Sequence, residues 1–221
     1  MLNILLIGDS IRLDYDNDLK SFLPDDIVIH GKPGREEAYK NLDIPTGGNG
    51  GDSSMVLEYL RELDSQGKLN FDCFVFNCGQ HDIKRYKPDN HIQIQPEEYA
   101  ANLYEILKLM KSRNIKTIFI NTTPADRSRY SEGCRIVRYN DDVIQYNAIA
   151  HQIMYEQGIP VIDLNAFVLS LGLEGDALFR DHAHYHPEII KLQAAFLAGA
   201  ICSMLSAKKS SDIQVSEGEV Q

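Results

Sequence analysis

Ser10 follows directly on the apolar run Leu2 to Ile7 and the pair Gly8-Asp9. A strand that ends in glycine and presents a serine at the start of a turn lifts the hydroxyl out of the sheet edge, where it can act as a nucleophile. The same serine could instead do no more than cap the helix that follows. Acyl transfer by a serine also needs a base within hydrogen-bond reach, an acid that orients the base, and donors aimed at the developing oxyanion. The stretch Arg180 to Pro187, RDHAHYHP, holds base and acid together. In Asp181-x-x-His184 a single turn can point the carboxylate at one ring nitrogen and leave the other facing Ser10. His182, His184 and His186 also alternate, and on an extended segment that spacing would put three imidazoles on one face as a metal site.

The elements that must position these residues alternate between strand and helix. Apolar runs at Leu2 to Ile7, Asp26 to His30, Phe71 to Asn77, Lys116 to Asn121 and Pro160 to Leu164 read as five strands. The third is apolar enough to be buried on both faces. Between them, Ser53 or Ser54 can cap a helix carrying Met55, Val56, Tyr59, Leu60 and Leu63 at helical spacing. Pro96-Glu97-Glu98 opens another with Leu103, Ile106, Leu107 and Met110 on one face. Further helices are expected from about Asn140 to Gln157 and from Pro187, while Ile11 to Leu23 could be helix or loop. Such alternation implies right-handed crossovers and a parallel sheet covered on both faces, with ligands beyond the carboxyl ends of its strands. Ser10, Gly50-Gly51, Gly79-Gln80-His81-Asp82 and Asp181 to His186 all follow strands.

At 221 residues the chain suits one domain with a substantial core. A formal charge of -10 argues against a general binder of nucleic acid or anionic membrane and favours a small soluble substrate. Cys73, Cys78, Cys134 and Cys202 lack C-x-x-C spacing and read as reduced thiols. No secretory signal is expected at the start, because the apolar run is short and is needed as a strand, so a cytoplasmic location is expected. No stretch is expected to span a bilayer. Two loops after strands are basic in this acidic chain: Lys84, Arg85 and Lys87 after the third, and Arg127, Arg129, Arg135 and Arg138 after the fourth. They could form a rim that binds a carboxylated or phosphorylated substrate, with Arg127 and Arg129 as contacts, or a solvated surface.

Gly8-Asp9-Ser10, Gly51-Asp52-Ser53, Gly79-Gln80-His81-Asp82 and Asp181-x-x-His184 together resemble the four blocks of the SGNH/GDSL hydrolase family, in order and each in its expected place. Thr122-Thr123-Pro124 and Tyr146-Asn147 are also similar to that family. The resemblance covers residues 1–206 as a single SGNH hydrolase domain, leaving 207–221 as a polar, disordered tail. It implies a three-layer α/β/α fold with a five-stranded parallel, flavodoxin-like sheet in the order 2-1-3-4-5. It also implies serine esterase or lipase chemistry with no metal or other cofactor. Carried over by position, Ser10 would be the nucleophile, His184 the general base and Asp181 its orienting acid. The backbone N–H groups of Ser10 and Gly51 would form the oxyanion hole with His81. The family has asparagine where this chain has His81, so the third donor is changed. A neutral imidazole can still donate one N–H in the right tautomer. Many family members deacetylate sugars, so the resemblance implies a small-molecule or saccharide acyl ester as substrate, with a carbohydrate O-acetylesterase first. A thioesterase or lysophospholipase stays open, as does a non-catalytic binding module, for which the His81 change is the sequence support.

Overall fold

The computed structural model describes residues 1–131 and 133–214, with side chains described to residue 206. In chain order its strands are β1 (Leu2–Ile7), β2 (Ile27–Gly31), β3 (Cys73–Phe76), β4 (Arg85–Tyr86), β5 (His91–Ile92), β6 (Lys116–Ile120), β7 (Ile136–Val137) and β8 (Val161–Ile162). The helices are α1 (Ser10–Phe22), α2 (Arg35–Ala38), α3 (Ser53–Ser65), α4 (Pro96–Ser112), α5 (Asn140–Glu156), α6 (Leu164–Ser170) and α7 (Pro187–Gln214).

Five parallel strands form the main sheet in the order β2-β1-β3-β6-β8, which is the expected 2-1-3-4-5 order once the short extra strands are counted. Side chains alternate across a strand. Leu5, Ile7, Phe74, Phe76 and Phe119 therefore face the layer built from α3, α4 and α5. Ile4, Leu6, Cys73, Val75, Ile118 and Ile120 face the layer built from α1, α6 and α7. Two-sided burial explains why these strands read as unbroken apolar runs rather than alternating ones. After β1 the chain passes to β2 on one flank and returns to β3 on the other, so the crevice beyond the ends of β1 and β3 is the topological switch point.

Four features differ from the sequence expectation. The polar loops after β3 and β6 are not wholly irregular: they pair as a small antiparallel sheet, β5-β4-β7, with Arg85 opposite both Ile92 and Val137. Such two-residue strands carry no readable period. Asp52, rather than Ser53 or Ser54, caps α3, accepting the Met55 N–H at 3.0 Å. The α7 segment Pro187–Ser206 is, by length and composition, apolar enough to cross a membrane, against the expectation that no stretch is. Here Ile189, Ile190, Ala194, Leu197, Ala198 and Ile201 of that helix are buried in the core. Helix α7 also continues to Gln214, into the segment expected to be a disordered tail. Residues 215–221 lie outside the described residues.

Candidate active site

The chain leaves β1 through Gly8-Asp9 and enters α1 at Ser10. Asp9 is the N-cap: its carboxylate accepts the Ile11 N–H at 2.9 Å. The Ser10 hydroxyl is therefore not spent on capping, and the Ser10 N–H has no protein acceptor among the described residues. The Gly-rich loop is tied to this turn, because Gly50 N–H donates to Gly8 O at 2.8 Å and the buried Arg12 guanidinium donates to Gly48 O.

The second component is the loop before α7. An antiparallel bridge between Phe179 and Tyr185, together with Arg180 N–H donating to His184 O at 2.9 Å, closes it into a tight turn. Tyr185 anchors the turn by donating its hydroxyl to Pro124 O at 2.9 Å. Within it, Asp181 Oδ1 accepts the backbone N–H groups of Ala183 and His184. The same carboxylate lies 2.8 Å from His184 Nδ1 through Oδ2. His184 Nε2 lies 2.7 Å from Ser10 Oγ. Burial alone would push the Asp181 carboxyl up, but the hydrogen bonds from His184 and the two amides outweigh it and hold it below the usual carboxylate range. Ser10 and His184 are 6% and 4% exposed, so the contact between them is largely shielded from bulk water, while Asp181 borders solvent.

The third component follows β3. Gly79 has φ +153° and a Cβ there would sit 1.9 Å from Thr122 Oγ1, so only glycine fits beneath the turn. His81 and Asp82 are buried beyond it. Asp82 Oδ1 accepts the Ser53 N–H at 2.9 Å, and burial pushes its carboxyl up to about 7. Burial, reinforced by the nearby cations of Lys84 and Arg138, pushes His81 well below the ordinary histidine range, so its imidazole is neutral. One expectation is corrected here. The Gly51 N–H, expected to stand free for an oxyanion, donates to the Asn49 side-chain oxygen at 3.0 Å. Gly51 is glycine because φ is +76° and a Cβ would meet Met55 Sδ at 2.5 Å.

A charged group borders this site. Asp43 accepts from His182 Nε2 at 3.2 Å and from Arg138 at 3.4 Å, and Arg138 also bonds Gln80 O and the Tyr130 hydroxyl. Tyr130 stacks on His182 with ring centroids 4.1 Å apart. Lys84, just before β4, donates to Asp43 O, and burial lowers its ammonium pKa to about 8. Arg138 directly follows β7, so the small sheet is what delivers Lys84 and Arg138 to the buried region. Arg127 and Arg129 are placed differently: Arg127 lies over the Tyr139 ring and Arg129 pairs with Asp176. The three alternating histidines diverge to separate partners, Asp43 for His182, Ser10 and Asp181 for His184, and Asp176 O for His186. Among the described residues no group of three or more His, Cys, Asp or Glu side chains is arranged to hold a metal ion. Sequence reasoning missed Asp43 and Asn49. For Asn49 a local signal existed, since an Asn side chain in a turn can accept the backbone N–H two residues on.

A serine, a histidine and an aspartate stand in hydrogen-bonded series at the switch point of a five-stranded parallel sheet, and the chain has the three-layer α/β/α fold. Comparison with known proteins bears out the resemblance at this level. The chain is similar to the lipase/acylhydrolase from Enterococcus faecalis, with a TM-score of 0.62, 20% identity, and 91% of this chain and 95% of that one covered. It is also similar to an acetyl xylan esterase, with a TM-score of 0.64, 17% identity, and coverage of 90% and 100%. In sequence it is 32% identical over 97 residues to the human isoamyl acetate-hydrolyzing esterase 1 homolog. That match takes in 40% of this chain and 38% of the relative, well under two thirds of the relative's length. No family model matches.

Proposed function

We propose that the protein is a carboxylic ester hydrolase that works through an acyl-enzyme on Ser10. The observation that carries this reading is the unbroken series Ser10 Oγ, His184 Nε2, His184 Nδ1, Asp181 carboxylate, with contacts of 2.7 and 2.8 Å. In the first half-reaction Ser10 Oγ attacks the ester carbonyl while its proton passes to His184 Nε2. The imidazolium so formed is held by Asp181 and returns the proton to the departing alkoxide, which leaves as the alcohol. Water then loses a proton to the same nitrogen, attacks the acyl carbonyl and releases the acid, and the proton goes back to Ser10 Oγ. The Ser10 N–H, free of any protein acceptor among the described residues, is one donor to the oxyanion.

The substrate this reading favours is an O-acetyl group on a saccharide. Support comes from the polar and aromatic border of the site, Asp43, Tyr130 and His182, which suits a hydroxylated alcohol better than a lipid chain. The acetyl xylan esterase of like fold points the same way. A cytoplasmic site of action belongs to the same proposal, and the four free cysteines are in keeping with it. A fluorophosphonate probe is expected to modify Ser10 in the wild type and not in His184→Ala, as mapped by mass spectrometry of the labelled peptide. A wild-type protein that takes up no probe would refute the hydrolase reading and leave a binding module on this fold.

A further inference from the structure

Asn49 is fully buried, and its side chain is held from two directions. A backbone N–H can only donate, so the Asn49 atom 3.0 Å from the Gly51 nitrogen is the side-chain oxygen. The amide nitrogen is thereby turned toward Leu42 O and toward His81 Nε2, which lies 3.4 Å away. If His81 carried its proton on Nε2, two donors would face each other across that contact. With the proton on Nδ1, Nε2 accepts from Asn49 and one donor remains, the Nδ1–H. His81 Nδ1 is buried and has no hydrogen-bond partner among the described residues. An unmet buried donor is costly, and it is tolerated where an acceptor arrives with the substrate.

The backbone around His81 is fixed on both sides. Arg138 holds Gln80 O at 2.7 Å, the Gln80 side chain donates to Thr123 O at 2.7 Å, and Asp82 is bound to the Ser53 amide. The ring therefore sits on a rigid turn at the end of β3. Asn49 precedes Gly50, whose N–H is bonded to Gly8 O two residues before Ser10, so the pair stands beside the nucleophile turn. Burial and the neighbouring cations keep the imidazole uncharged, as a side-chain amide is uncharged.

We propose that Asn49 fixes His81 in its Nδ1–H tautomer, and that His81 so held donates this N–H to the oxyanion at the position where the family resemblance puts an asparagine amide. The inference deepens the hydrolase reading and rests on it. Asn49 is a positioning residue and His81 touches the reacting oxygen.

The direct test is long-range proton–nitrogen correlation NMR of nitrogen-15-labelled full-length protein, with the His81 signals identified by their absence in His81→Asn. The wild type is expected to show a neutral His81 protonated on Nδ1, with a downfield shift of that proton once the fluorophosphonate has modified Ser10 and put a phosphoryl oxygen in the oxyanion position. Protonation on Nε2, or an Nδ1–H that does not respond to phosphonylation, would overturn the proposal. If Ser10 takes no probe, the hydrolase reading and the donor role fall together, while the tautomer remains readable by itself. Kinetics on p-nitrophenyl acetate give the second arm. Loss of one oxyanion donor costs about 100-fold or more in kcat, so His81→Ala and Asn49→Ala are each expected to lose about that much with KM within about threefold. His81→Asn is expected to keep most of the activity. In the His81→Asn background Asn49→Ala is expected to cost less than about fivefold, because there is no tautomer left to set. An equal loss in both backgrounds would show a merely structural role for Asn49 and overturn its assignment.

Discussion

Asp181 offers the sharpest test of how the hydrogen-bond series works, because two substitutions there should fail to different extents. Its Oδ1 accepts two backbone N–H groups and lies 2.9 Å from His184 Nδ1, and Oδ2, which has no backbone partner, lies 2.8 Å from the same nitrogen. In Asp181→Asn the same two amides select the side-chain oxygen and leave the NH₂ group against Nδ1. His184 then accepts on Nδ1 and carries its proton on Nε2, aimed at Ser10 Oγ, so the base has no lone pair to offer. A geometry-preserving change of this kind costs about 10⁴ in kcat. Asp181→Ala removes the charge and imposes no tautomer. Two charges about 4 Å apart at an effective dielectric near 20 interact by about 4 kcal/mol. The Asp181 side chain is 40% exposed, so solvent screening cuts that to about 2 kcal/mol, or about 30-fold in rate. The amide is therefore expected to be worse than the alanine by about 300-fold in kcat on p-nitrophenyl acetate, with KM little changed in both. Equal rates for the two variants would refute the tautomer argument. An alanine worse than the amide would indicate that packing rather than proton placement is what Asp181 supplies.

Two further predictions use groups around the site. Asp82 has its folded pKa raised from 3.8 to about 7 by burial, so the native state binds more protons than the unfolded state between those values. Its contribution to stability therefore falls as pH rises through that window, and Asp82→Asn is expected to flatten the decline in Tm between pH 4 and pH 7. A pH profile of Tm identical to wild type would rule this out. Arg127 lies over Tyr139 and Arg129 is paired with Asp176. The double change Arg127→Ala, Arg129→Ala is accordingly expected to leave the ratio of rates on neutral and anionic acyl esters unchanged. A clear fall in the anionic rate alone would restore these residues as substrate contacts.

What was legible in the sequence was whatever is encoded over short range. The central strands β1, β3 and β6 could be read because they are buried on both faces and so carry apolar residues side by side, and the edge strands β2 and β8 because each keeps a short run of branched aliphatics. Asp181-x-x-His184 could be read because one turn brings the two side chains together. The small sheet could not, since β4, β5 and β7 are two residues each and the β4–β7 pairing joins segments far apart in the chain. Arg138 could be seen only as one of several loop cations. Its burial depends on Asp43, which lies 95 residues earlier and carried no signal of its own. The same limit acted on the oxyanion side. Read alone, His81 is a departure from a family pattern that either replaces the amide donor or supports a binding module. Its meaning changes with Asn49, 32 residues before it, whose carbonyl is committed by the Gly51 amide and whose amide nitrogen is therefore directed at the imidazole. A neutral ring with one committed nitrogen and one unmet N–H offers the same hydrogen-bond chemistry as a carboxamide donor. The substitution at position 81 and the asparagine at position 49 are thus best read as one feature, and the loss of either should be felt only while the other is present.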